Sequence, residues 1–428
     1  ATLSSSGFSS SSNMTSFLKF SPILLPNIEV LWCIPPRRNA SSRDSKSVLC
    51  SSSNSKNHRS VCVSATPPSP LSPAPSDLDF LELGLNEANF ADETIASSFG
   101  NDEEAVEAFF NGVVISDVSH FGRIIVSGED RTVFLQNQST SNFELLEAGQ
   151  GCDTVFVTPT ARTIDIAHSW IMKNSVFLFV SSETSESITQ MLNKYIFFAD
   201  KVEILNVTRM TRQFLVTGLK CDEVMRRLQF ADIVGQPYGT HRLYSMNGIN
   251  LYVGVGSYIS EEGYTLLMAT NNAPSIWEAL SSHGTVPMGT ASLERLRIIQ
   301  GRPSPGKELT NEYNVLEAGL WNSISLTKGC YKGQETISRL ITYDGIKQRL
   351  FGIKLSSFAE PGSALFVDGK KVGKLTSCNL GRDPEEHFGL CYVKKPYAVA
   401  GGSVIVGTDA VLGTLLEPPF LSRQVRNF

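Results

Sequence analysis

The run Lys328-Gly-Cys-Tyr-Lys-Gly-Gln-Glu335 places one thiol between a lysine and a Gly-Gln-Glu step. A thiol loses its proton most easily ahead of a helix N-terminus and near an ammonium group. The residues after Gln334 read as the first turn of a helix. Cys330 therefore sits where a sulfur nucleophile or ligand contact is chemically supported. Lys328 would lower the thiol pKa or meet an anionic tail, and Tyr331 offers a face to a flat ring. Gly333, like Gly329, permits positive φ and close approach of the backbone to a ligand. Gln334 and Glu335 open the helix, where the carboxylate of Glu335 suits the dipole. The same residues also admit a packing reading. Free cysteines are often buried, tyrosines pack, and a loop lysine is usually solvated.

No second catalytic constellation stands beside this run. His120, His168, His241, His283 and His387 are dispersed, and none pairs with Cys330 in sequence. There is no phosphate-binding glycine loop, zinc spacing or nucleophile elbow. Of eight cysteines, Cys33, Cys50 and Cys62 fall near the N-terminus, leaving Cys152, Cys221, Cys330, Cys378 and Cys391. Their long spacings suit a reduced compartment and provide no metal or cluster-binding motif.

Composition divides the chain. Ser4–Ser6 and Ser9–Ser12 open a serine-rich tract that resumes at Ser51–Ser53. In residues 1–65 seven basic residues face only Glu29 and Asp44, a charge of +5, so the remainder carries −10 and the whole chain −5. A serine-rich, basic, acid-poor leader is the mark of an organelle transit peptide, and the serine bias favours the chloroplast stroma. Residues 66–77 form a Pro-rich linker. The acidic remainder offers no footprint for nucleic acid or anionic membranes. The best apolar stretch, residues 17–34, is broken by Lys19, Pro22, Pro26 and Glu29 and predicts no membrane span.

The elements that must position the thiol follow from periodicity. Helices are expected over residues 102–110, 128–137, 183–198, 221–229, 274–282 and 290–300. Strand runs at 122–127, 153–158, 162–172, 175–180, 201–208 and 213–218, with a weaker echo at 251–255 and 264–268, alternate with them. This repeated strand–strand–helix grammar predicts an α+β body split into two sub-domains over residues 78–347. From 348 to 428 the chain is short strands and turns, with Asp368-Gly369 as a hairpin signal. That spacing predicts a small antiparallel β-barrel.

The signature run, together with Asp117-Val-Ser-His-Phe-Gly-Arg-Ile-Ile-Val-Ser-Gly128, the stretch Leu293 to Pro303, Leu316-Glu-Ala-Gly-Leu320 and Val372-Gly-Lys-Leu-Thr-Ser-Cys378, resembles the YgfZ-type proteins. These are folate-binding relatives of the glycine-cleavage T-protein, an aminomethyltransferase, that act in iron–sulfur cluster biogenesis. The resemblance implies a T-protein-like body around a central channel, with tetrahydrofolate or another reduced folate as cofactor. It implies Cys330 and Lys328 as functional residues, and iron–sulfur assembly or client proteins as partners. Asp165, Tyr331, Gly333, Gln334, Glu335 and Arg297 become candidate folate contacts. Two adjacent aspartates of the T-protein correspond here to Asp165 and Ile166, so one carboxylate rather than two is offered to a substrate amine. The function implied is folate-dependent support of iron–sulfur assembly or repair. A one-carbon transferase and a non-catalytic folate-binding scaffold are the alternatives, and turnover of folate separates them.

Overall fold

The computed structural model describes residues 95–417, apart from positions 258, 260, 261 and 384. The expected leader and linker, the start of the body and the last residues of the barrel lie outside the described residues.

Two sheets form the body. The first has six strands in the order β11 (Val286–Pro287), β1 (Val114–Asp117), β7 (Thr211–Thr217), β10 (Tyr264–Ala269), β9 (Ile249–Val255) and β8 (His241–Met246). The second has five, in the order β3 (Gly151–Val157), β4 (Thr163–Ile171), β5 (Ser175–Val180), β2 (Gly122–Ser127) and β6 (Glu203–Asn206). Strands β2, β5, β7 and β10 are buried along their whole length, and β2, β5 and β10 carry continuous apolar stretches rather than alternations, whereas β7 opens on the buried polar residues Thr211, Arg212 and Gln213.

Each sheet has a helix-covered outer face and an inner face turned to the other sheet. Outside the first, Phe214, Val216 and Leu266 pack with Cys221, Val224 and Met225 of α4 (Cys221–Arg227) and with Ile276 and Leu280 of α5 (Ala273–Ser282). Helices α1 (Asp102–Asn111) and α6 (Thr290–Ile299) join through Val106, Phe109, Leu293 and Leu296. Outside the second sheet, Phe134 and Leu135 of α2 (Arg131–Gln138) and Ile188 and Leu192 of α3 (Ser182–Lys194) cover Ile124, Ala167 and Leu178. Between the sheets, Ile125, Trp170, Phe177 and Phe179 meet Tyr252 and Leu267. The two expected sub-domains are thus the two halves of one sandwich.

The C-terminal strands close into a barrel in the order β12 (Gln348–Leu355), β15 (His387–Lys394), β14 (Lys370–Leu380), β13 (Ala364–Val367), β16 (Ser403–Val406) and β17 (Val411–Leu416). Asp368 and Gly369 take φ of 49° and 72°, the mirror-image turn that the β13–β14 hairpin twist demands. The barrel docks through Leu350, Leu390 and Tyr392 on Ile298 and Tyr313, with the two tyrosine rings stacked 3.5 Å apart. Among the described residues no helix is long and apolar enough to cross a membrane.

Candidate functional site

The signature run forms a loop that ends on α7 (Gln334–Thr342). Gly333 caps this helix with φ of 84°, and a Cβ there would lie 2.8 Å from Val157 Cγ2 and 2.9 Å from Thr158 O. Glycine is required at this position for both reasons. Cys330 is the exposed member among the free cysteines at 152, 221, 330, 378 and 391. Tyr331 is buried with Val157, Ile166 and Ile337, and burial pushes its hydroxyl up to about 12. Gln334 is half-buried, while Glu335 is exposed and pairs with Arg339 one turn on, at 2.5 Å.

Lys328 has a different task from the one expected. Its Nζ donates to the carbonyls of Gln136, Ser139 and Ser141 at 2.6, 2.6 and 2.7 Å. These carbonyls belong to the end of α2 and the turn after it, so the lysine closes a helix C-terminus. It also lies 4.7 Å from the centre of the Tyr331 ring. Burial pushes its ammonium down to about 7, opposed by Cys152 and Glu144. Three carbonyl acceptors use three N–H groups, which only the ammonium has. The charge is therefore spent on holding the loop to α2.

Between the two sheets lies a cavity with about 440 Å³ of empty space, part of it open to solvent. Phe121, Phe179 and Tyr238 give it aromatic walls, and Gln213, His168 and Arg302 give it polar groups. Strand alternation decides what β4 contributes. Ile166 and His168 face the cavity, while Asp165 and Ala167 point toward α3. The Asp165 carboxylate accepts hydrogen bonds from the Ser181 N–H at 2.7 Å, Thr184 Oγ1 at 2.5 Å, Ser181 Oγ at 3.0 Å and its neighbour's N–H at 2.7 Å. It serves the N-terminus of α3. Burial pushes its carboxyl up and these four bonds oppose the shift. Where the T-protein resemblance places a second aspartate, the cavity receives Ile166.

Arg297 is 1% exposed and faces the barrel joint. It pairs with Glu294 at 2.7 Å and with the buried Glu308 at 3.0 Å, and it donates to Ser377 Oγ at 3.1 Å. It also donates to the carbonyl of Arg302, whose own N–H returns to Arg297 O at 3.0 Å. Of the candidate residues, Cys330, Lys328, Tyr331, Gly333, Gln334 and Glu335 share one loop, whereas Asp165 and Arg297 lie elsewhere and are held by protein partners.

Sequence reasoning missed the cavity's polar chain. His168 Nδ1 lies 2.8 Å from Asp153 Oδ1, and Tyr238 donates to the same oxygen at 2.7 Å. Trp170 Nε1 donates to His168 Nε2 at 2.9 Å, so the ring is neutral with its proton on Nδ1. Its lone pair is occupied, which removes His168 as a general base. The register of β3 and β4 sets Asp153 opposite His168, so a hairpin alignment would have paired them.

Burial, with help from Arg302, holds His168 down at about 3, and burial holds His241 down at about 4. The unfolded chain protonates both near 6.5 and the folded chain does not. Stability is therefore full above pH 6.5 and falls as the pH drops toward 4, by up to about 1.4 kcal/mol per pH unit for each ring. The melting temperature should decline from pH 7 to pH 5. A flat profile over that interval contradicts the neutral assignment.

Among the described residues no group of three or more His, Cys, Asp or Glu is placed to hold a metal ion.

Comparison with known proteins places this architecture. The GCVT N-terminal domain model matches residues 87–328, ending at the first residue of the signature run. A putative chloroplastic transferase of Arabidopsis thaliana is 58% identical over 367 residues, covering 85% of this chain and 85% of that protein. An aminomethyltransferase of Caldanaerobacter subterraneus subsp. tengcongensis is 27% identical over 331 residues, 75% of this chain and 88% of the relative. The crystal structure of glycine cleavage system aminomethyltransferase T from Bartonella henselae superposes with a TM-score of 0.69 at 16% identity, over 81% of this chain and 97% of that one, a likeness of fold. With more than half of its length inside the domain model and a relative this similar along most of the chain, the protein belongs to the GCVT family.

Proposed function

We propose that the chain binds a reduced folate between its two sheets and, with Cys330 as its functional thiol, supports iron–sulfur cluster assembly or repair in the plastid. One observation carries most of this reading. The position that faces the cavity is Ile166, and the neighbouring carboxylate, Asp165, is committed to α3. A transferase of aminomethyl groups has to bind and deprotonate an amine, and a carboxylate is the natural partner. This cavity has aromatic walls and the Arg302 guanidinium, itself paired with Asp153 at 3.7 Å, but no carboxylate at position 166. Such a lining suits a flat heteroaromatic ring with an anionic tail better than it suits amine chemistry.

The protein's own residues fit the ligand in that sense. Phe121, Phe179 and Tyr238 would flank the ring, and Arg302 would meet negative charge. A bound reduced folate would supply a one-carbon carrier or a redox-active pterin. The thiol lies on a separate exposed loop, where a partner protein reaches it. The names of the relatives favour a second reading, transfer of a one-carbon unit to an acceptor.

Calorimetric titration with tetrahydrofolate should give saturable binding near one equivalent. No heat and no thermal shift at millimolar ligand defeats the folate reading. Turnover separates the two functions: a transferase changes the one-carbon state of bound folate when given an amine acceptor, and the proposed function leaves it unchanged. Fractionation of plant cells tests the location, with the protein expected in the stroma.

A further inference from the structure

The Gln213 side chain lines the cavity from β7 and is 5% exposed. On this strand Phe214 and Val216 face the helices, and Gln213 faces the other sheet beside Leu267 of β10. Its backbone is fully used, with the N–H on Ser119 Oγ at 2.9 Å and the carbonyl accepting from Val118 at 3.0 Å. Its Oε1 is completely buried and accepts no hydrogen bond from the described residues.

Among the described polar groups of the lining Arg302 Nε is likewise buried without a hydrogen bond, but that guanidinium is ion-paired with Asp153 at 3.7 Å, whereas the others are held by protein partners. His168 is held by Asp153 and Trp170, Tyr238 by Asp153, Ser181 by Asp165, and Thr265 by the Gly256 carbonyl at 2.8 Å. Ser257 and Arg302 also have protein partners. An unmet buried amide oxygen is costly, and native proteins keep few of them. One that points into a cavity is best explained by a ligand that completes it.

The chemistry of the partner follows from the group. A carboxamide carries one acceptor oxygen and one donor nitrogen side by side, and exchanging the two leaves that pattern intact. Its complement is a ring edge with an adjacent donor and acceptor. We propose that Gln213 is the ligand-reading residue of this cavity and pairs edge-on with the lactam edge of a pterin ring. This rests on the folate reading and assigns which part of the folate is recognised here: the ring, not the aminobenzoyl-glutamate tail.

Removing the amide should have opposite effects on the empty and the loaded protein. Gln213→Leu relieves a desolvated polar group, so the ligand-free melting temperature should hold or rise. The same change deletes two ligand hydrogen bonds, so affinity for tetrahydrofolate should fall about 10- to 100-fold. Gln213→Met, closer in shape, is the second variant should the first fold poorly.

The experiment is calorimetry with the full protein and three probes. Tetrahydrofolate and 6-methyltetrahydropterin should both weaken by that factor, while p-aminobenzoylglutamate binds as to the wild type. Wild-type binding of both pterins by the folded variants overturns the assignment and leaves the folate reading standing. A lowered ligand-free melting temperature with equal losses for all three probes also overturns it, since that is the pattern of a packing residue. Failure of the wild type to bind tetrahydrofolate removes the folate reading and this assignment together.

Discussion

Replacing Cys330 by alanine is expected to abolish the restoration of iron–sulfur enzyme activity in plants lacking the protein, while folding and tetrahydrofolate affinity stay at wild-type values. The thiol is exposed, so the substitution removes little packing. It also removes the only soft nucleophile of the signature run. A packing role predicts the reverse: a lower melting temperature, with function lost in step with the amount of folded protein. Measuring both on one variant separates the two. Full restoration of enzyme activity by Cys330→Ala would show the thiol to be dispensable. Lys328→Ala makes a useful contrast. The ammonium closes three carbonyls at the end of α2, so its loss should destabilise the fold rather than alter alkylation of the thiol.

The sequence carries the fold further than it carries the site, for a physical reason. Strands buried on both faces, such as β2 and β5, betray themselves as apolar runs, and the Asp368-Gly369 turn has one favoured use. Strand β8, with an exposed and alternating pattern at the sheet edge, went unrecognised, as did the short β11. For the site, local spacing identifies the Cys330 loop because its members are neighbours in sequence. The cavity is assembled from residues as distant as His168, Gln213 and Arg302. Which side of β4 faces it hinges on a one-residue alternation. Asp165 and Ile166 are adjacent in sequence and lie on opposite faces of the sheet, so residue type alone does not tell which of the two faces the cavity.

Arg297 shows how a charged residue in a family stretch can be structural. Its guanidinium and the Glu308 carboxylate are both almost inaccessible, at 1% and 0% of their surface. Glu308 accepts further hydrogen bonds from Ser377 Oγ at 2.6 Å, Thr376 Oγ1 at 2.7 Å and the Ser304 N–H at 3.1 Å. The pair thus joins α6 to β14 of the barrel. A buried ion pair adds little net stability over an apolar pair, yet removing one member leaves the other charged and dry. Arg297→Ala and Glu308→Ala should each cost about 3–5 kcal/mol in denaturant unfolding. The joint replacement Arg297→Met with Glu308→Leu should cost far less than the sum of the two single losses. The arginine also holds the backbone of Arg302 at the cavity wall, so the single variants that remain folded should bind tetrahydrofolate more weakly. Single losses below about 1 kcal/mol, the range of exposed pairs, would mean that the arginine is not a strut and is free to meet a ligand.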